Sequence, residues 1–185
     1  MKRGVLSALA LSAIMSVAVL ADAKLGQASG ATVNFYGKAI GLNLTGTTNE
    51  LKVSEDGGNV RFAVPLGTLK TGIALRDTHM RDKYLEVGKY PEAVLVVPRS
   101  GLSFPDADGK QTVGKVAGTM TIHGQTKPVN VSYKAKRVGG NAYDVSGDAE
   151  INIKEYGIDA PSYGGLVVKP DIKIELTNAR VVDAS

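Results

Sequence analysis

From Ala31 onward the chain alternates apolar and polar residues at the period of a β-strand. In NVRFAVPL, Val60, Phe62, Val64 and Leu66 alternate with Asn59, Arg61, Ala63 and Pro65. In PVNVSYKAKRV, Val129, Val131, Tyr133 and Ala135 stand against Asn130, Ser132, Lys134 and Lys136. AYDVSGDAEINI is the cleanest run, with Tyr143, Val145, Gly147, Ala149, Ile151 and Ile153 on one side, and DIKIEL repeats it with Ile172, Ile174 and Leu176. Neighbouring side chains of a strand point to opposite faces, so each segment has one apolar face and one wet face, as antiparallel strands do. Between the runs lie Asp56-Gly57-Gly58-Asn59, Asp106 to Gly109, His123-Gly124 and Gly139-Gly140-Asn141. Glycine and asparagine accept positive φ cheaply, which suits hairpin turns. At one strand per roughly fifteen to twenty residues, the chain is expected to be all-β, with about eight antiparallel strands closing a barrel that has room for a small ligand.

One segment breaks the alternation. In LRDTHMRDKYLEVGKYPEAVL, Leu75 to Leu95, charges cluster and period two is lost. Placed on a helix over residues 73–87, Ile73, Met80, Tyr84 and Val87 share one face, with Asp77 inside the same arc. Arg76 and Lys83 flank that face on one side and Arg81 on the other. His79 lies off it, between Arg76 and Lys83. Pro91 ends the segment, and the strand Ala93 to Val97 follows. The expectation is a short amphipathic helix laid over one end of the barrel, with Met80 and Tyr84 turned toward its interior.

The first residues are excluded from the fold. Lys2 and Arg3 precede an uncharged, largely apolar stretch from Val5 to Leu20, and Ala21-Asp22-Ala23 supplies small residues at cleavage positions. This predicts a Sec-type signal peptide over residues 1–23 and export to the periplasm, leaving 24–185 as a single domain. With no cysteine in the chain there is no lipobox, no disulfide, no thiolate metal site and no thiol nucleophile. No stable membrane anchor is therefore expected. The formal charge of +4 is spread without runs, which argues against a nucleic-acid surface.

Catalytic signatures are missing. The chain has no G-x-S-x-G, P-loop, G-x-G-x-x-G or H-E-x-x-H motif. Its two histidines, His79 and His123, supply too few ligands for a predicted metal site. His123 reads as a turn residue before Gly124. The inward faces of the expected barrel carry Phe62, Val64, Met120, Ile122, Val131, Tyr133, Ile151, Ile153, Ile172 and Ile174. Patterning leaves two outcomes open: these side chains fill a solid core, or they line a cavity. The absence of tryptophan and an aromatic share of 5% lean toward an incompletely filled interior.

Two long motifs carry a resemblance. Arg76, Asp77, His79, Met80, Arg81, Tyr84, Leu85, Lys89, Tyr90 and Pro91 take the places of a signature R-D-x-H-[apolar]-R, an aromatic or apolar pair, and K-Y-P. Gly118, Thr121, Ile122, His123, Gly124, Thr126, Lys127, Pro128 and Val129 resemble a second, G-x-L-T-[apolar]-H-G-x-T-[KR]-P-V. Together they resemble the YceI family, and the likeness runs from about Thr32 to Val181. The chain departs from the pattern at Met80, where the family has leucine, and in KEYGIDAPSYGGLVV, which leaves the rim from Tyr156 to Leu166 open. The resemblance implies a lipocalin-like barrel around an elongated apolar cavity for a polyisoprenoid or similar amphiphile. It implies no catalytic residues and no required cofactor.

On that footing, the pocket lining is expected from the ten inward residues together with Met80 and Tyr84, and the head group is expected at Arg76, His79 and Arg81. A competing arrangement has these arginines paired with Asp77, Asp82 or Glu86 on a solvated helix. Three functions follow: a periplasmic carrier of an isoprenoid quinone, its precursor or another long-chain lipid; an enzyme on such a lipid with His79 as base; or a packed structural protein without ligand. An exposed barrel edge or apolar rim would suit a homodimer.

Overall fold

The alternating segments become the strands of one strongly curled sheet. The computed structural model describes residues 24–163 and 165–183; the expected signal peptide, residues 1–23, lies outside them. The first strands are β1 (Leu25–Ser29), β2 (Thr32–Ala39), β3 (Leu42–Thr48), β4 (Lys52–Asp56) and β5 (Asn59–Pro65). The next are β6 (Glu92–Pro98), β7 (Gln111–Ile122), β8 (Gln125–Gly139) and β9 (Ala142–Asn152). A two-stranded hairpin of β10 (Ser162–Tyr163) and β11 (Leu166–Val167) precedes β12 (Asp171–Asp183). The main sheet has ten antiparallel strands in the order β3-β2-β12-β9-β8-β7-β6-β5-β4, with β1 also paired to β12.

Ten strands replace the expected eight because β12 serves two levels of the tube. Its first part, Lys173 to Thr177, pairs with β2, and its last part, Arg180 to Asp183, pairs with β1. At either level, eight strands surround the interior: β3 and β2 complete the upper ring, β1 and β4 the lower one. The change of partner falls at an irregularity between Leu176 and Ala179, where Asn178 takes φ 57°. Asparagine tolerates that conformation, and the bulge shifts the inward parity from Ile172, Ile174 and Leu176 to Ala179 and Val181.

The sheet's ends meet without a ladder. At the lower level Leu25 N–H donates to Glu55 Oε2 at 2.8 Å, joining β1 to β4. Arg99 adds to this junction, with Nε 3.6 Å from Glu55 Oε2 and Nη2 3.0 Å from Asp183 Oδ2. At the upper level Thr47 and Lys70 exchange backbone hydrogen bonds of 2.8 and 2.9 Å, tying β3 to the segment after β5. The stretch after β6 crosses the lower end: Ser103 N–H donates to Tyr133 Oη at 2.8 Å. Phe104 lies there against Tyr143, centroids 4.8 Å apart, with the Arg99 guanidinium 4.8 Å above its ring.

At the upper end lies the charged interruption. It is a helix, α1 (Ala74–His79), followed by a wide turn over Met80–Tyr84, closed by Leu85 N–H donating to Met80 O at 2.9 Å. The expected helix of residues 73–87 is thus shorter and ends in a π turn, whose five-residue hydrogen bond leaves the 100° spacing behind. Its anchor is Asp77, which is buried and accepts hydrogen bonds from Thr71 N–H, at 2.7 Å, and from the Thr71 hydroxyl. Burial is the largest influence on this carboxyl and opposes ionisation. The two Thr71 hydrogen bonds, with Arg81 and Arg76 nearby, outweigh it and hold the group below its ordinary value.

Two outcomes test these contacts. A Cβ on Gly118 would sit 2.5 Å from Val96 O and 2.7 Å from Val97 Cγ1, so Gly118→Ala must push β6 off β7. We expect a loss of about 1–3 kcal/mol, read as a lower urea midpoint with unchanged slope. Asp77→Asn replaces a charged acceptor by a neutral one and should cost about 1–2 kcal/mol near neutral pH. Because the folded carboxyl titrates below its ordinary 3.8, this difference should hold down to that pH, then shrink as Asp77 protonates through its depressed value. Urea unfolding of parent and variant over a pH series measures it.

Candidate functional site

Inside the curled sheet the inward side chains leave space. An elongated cavity of about 560 Å³ runs from the upper end, at Arg76, His79 and Leu42, to Leu25, Val181 and Phe104 at the lower end. Its size falls within the roughly 300–1,000 Å³ typical of ligand pockets. Along β12 its lining extends from Ile172 to Val181, a span of about 30 Å at roughly 3.3 Å per residue. The wall is almost wholly apolar because the alternation turns one face of each strand inward and the polar face to water.

All twelve side chains expected as lining are in the wall: Phe62, Val64, Met80, Tyr84, Met120, Ile122, Val131, Tyr133, Ile151, Ile153, Ile172 and Ile174. Others join them that the sequence reading did not single out. Val33 and Phe35 continue the period-two pattern of β2, a signal present in the sequence. Leu95 sits in the run Ala93 to Val97, where unbroken apolarity hides which parity faces inward. Leu102 and Phe104 come from an irregular segment that has no period to read.

Of the three residues expected at the head-group end, two line the cavity mouth. His79 is exposed there, and Arg76 is half-buried. Arg76 spends part of its guanidinium on Thr71, donating from Nε to Oγ1 and from Nη2 to the carbonyl oxygen, both at 2.7 Å. The Thr71 hydroxyl thereby accepts from Arg76 while donating to Asp77, and the three residues fix the helix at the mouth. Arg81 does not line the cavity. It stands one helical turn after Asp77, and its charge acts on that carboxylate instead.

The two sequence motifs meet beside this mouth. His123 and Gly124 form the two-residue turn between β7 and β8, with φ of 51° and 73°. Positive φ at both positions is what such a turn requires. Its bare Gly124 lies under the Tyr90 ring, where a Cβ would come within 2.7 Å of Cε1. The His123 ring stands 4.6 Å from that of Tyr90, with Nε2 2.6 Å from Glu86 Oε2 and Nδ1 3.2 Å from Tyr156 O. A carbonyl oxygen only accepts, so Nδ1 is the donor to Tyr156 O. The turn residue is therefore also a clamp between the helix exit, the β7–β8 hairpin and Tyr156. Burial, with a smaller contribution from Glu155, pushes the Tyr156 phenol above its ordinary value.

The profile of YceI-like domains matches residues 26–179. Among curated proteins, a UPF0312 protein of Pseudomonas fluorescens is 33% identical over 129 residues, covering 62% of this chain and 64% of that relative. One from Pseudomonas syringae is 28% identical over 126 residues, covering 65% and 62%. This chain thus spans less than two thirds of the length of these curated relatives. Among solved structures, a polyisoprenoid binding domain from Saccharophagus degradans, implicated in plant cell wall breakdown, superposes with a TM-score of 0.71 at 19% identity, covering 87% of this chain and 98% of that one. Burkholderia cenocepacia BcnA gives 0.63 at 15% identity, covering 82% and 96%. At such identities the likeness to the solved structures is one of fold. The family match, from Gly26 in β1 to Ala179 in β12, takes in nearly the whole sheet, and this chain belongs to the YceI-like family.

Proposed function

We propose that this protein binds a long-chain isoprenoid, a quinone or its precursor, or a similar amphiphilic lipid, and carries or sequesters it in the periplasm. The observation that supports this best is the continuous apolar cavity. A stretched hydrocarbon suits an apolar lining that runs about 30 Å along β12. Each CH₂ taken out of water contributes about 0.8 kcal/mol, so ten carbons approach about 8 kcal/mol before ordering and association costs. The tail supplies affinity and little choice, because one methylene more or less changes little. Choice falls to the mouth, where Arg76 and His79 offer hydrogen-bond donors to a quinone, phenol, amide or phosphate head.

A filled barrel without ligand is disfavoured by the same cavity. Binding without chemistry suits a wall that offers so few reactive groups. The polyisoprenoid binding domain named above shares the fold, which adds support for this class of ligand.

Native mass spectrometry of the purified protein is expected to show a co-purified apolar molecule, and lipid-stripped protein should take up an added isoprenoid quinone. Ala149, on β9 in the cavity wall opposite Ile174 of β12, has room in front of it. Ala149→Trp should fill that room and lower uptake by about tenfold or more while leaving the fold intact by circular dichroism. Repeated preparations of bare protein with no uptake would overturn the proposal.

A further inference from the structure

Six of the eight large hydrophobic residues that are exposed among the described residues gather at one end of the tube: Ile40, Leu42, Ile73, Leu75, Leu166 and Val167. The topology places them together. Ile40 and Leu42 form the tip of the β2–β3 hairpin, beyond the point where β12 begins. Lys169 N–H donates to Lys38 O at 2.6 Å, fastening the segment that carries Leu166 and Val167 to that tip. The Thr47–Lys70 pairing brings Ile73 and Leu75 up along β3, and Ser162 N–H donates to Tyr84 Oη at 3.4 Å across the opening. Leu42, Ile73 and Leu166 are at once exposed and part of the cavity wall. The patch is therefore the rim of the mouth, continuous with the interior. Exposed apolar clusters of this kind mark interaction surfaces.

Charge says what the rim meets. Lys38, Lys70 and Lys169 are exposed around it and form no ion pair among the described residues. Nearby, Asp77 and Asp171 hydrogen-bond the neutral Thr71 and Asn152, at 2.7 and 2.9 Å, and neither pairs with these lysines among the described residues. An apolar tip with unpaired lysines behind it fits the interface of a bilayer carrying anionic headgroups, where side chains enter the acyl boundary and amines meet phosphate.

We propose that this open end docks reversibly on an anionic lipid bilayer, so that a lipid passes between membrane and cavity without crossing water. The docking surface stands on its own contacts; its purpose rests on the lipid-binding reading given above. Flotation of the purified protein with vesicles tests it, using phosphatidylcholine alone and phosphatidylcholine mixed with phosphatidylglycerol. The parent should float with the anionic vesicles and less so as salt is raised. The double variant Ile40→Asp/Val167→Asp should bind about tenfold more weakly or worse, since 84% and 57% exposure leave both side chains free to enter lipid. Lys38→Gln and Lys169→Gln should each cost about fivefold. Val113→Asp, at 67% exposure on the opposite end, should change nothing.

A parent that stays unbound to anionic vesicles overturns the docking. So does equal loss in Val113→Asp, or a parent dimer that the tip variant splits without any flotation. Uptake of an isoprenoid quinone from detergent, read by native mass spectrometry, separates the two proposals. Uptake without flotation overturns docking alone, and flotation without uptake keeps docking and removes the lipid-carrying reading.

Discussion

A curled sheet whose two edges never form a ladder must be joined by other means, and the whole interior depends on those joints. Here the joints are few and polar. Glu55 receives the Leu25 amide and the Arg99 guanidinium below, and Lys70 exchanges backbone bonds with Thr47 above. They work because β12 is long enough to hold β2 over one half and β1 over the other. Eight strands then surround the axis at every level, and that number sets the width of the tube. Side chains of valine, isoleucine and alanine on such a wall cannot reach across it. The cavity follows from strand number and side-chain size together, and no single residue creates it.

The polar chemistry is confined to the ends. Arg76, Thr71 and Asp77 hold the helix at the mouth, and His123, Tyr90 and Glu86 hold the loop that leaves it. The residues that make the two motifs recognisable are thus largely fasteners. Asp77 receives Thr71, Gly124 admits the Tyr90 ring, and Gly118 lets β6 approach β7. Arg76 and His79 alone among the motif's polar residues also face the cavity.

Much of this was legible in the chain. Period-two alternation identifies one face of each long strand, and the ten strand residues expected in the wall stand there because antiparallel strands with one wet face turn the other inward; Met80 and Tyr84 reach it from the π turn after α1. What alternation could not reveal was where it is interrupted. The bulge at Asn178 exchanges parity within β12, so Val181 faces inward although it is out of step with Ile172 and Ile174. Arg81 was expected at the mouth, with pairing to Asp77 as the competing arrangement, and its charge acts on Asp77; the π turn that follows was not visible from spacing. Leu102 and Phe104 lie in a loop, where burial is decided by what the loop crosses.

Phe104, set between Tyr143 and Arg99, lines the cavity at the lower end, while at the opposite end exposed apolar side chains line it. A lipid taken up through the rim, as proposed, would enter tail foremost and leave by the same route, with its polar terminus toward the rim. Release would then be a sliding motion opposed by each methylene still inside, so residence time would lengthen with chain length.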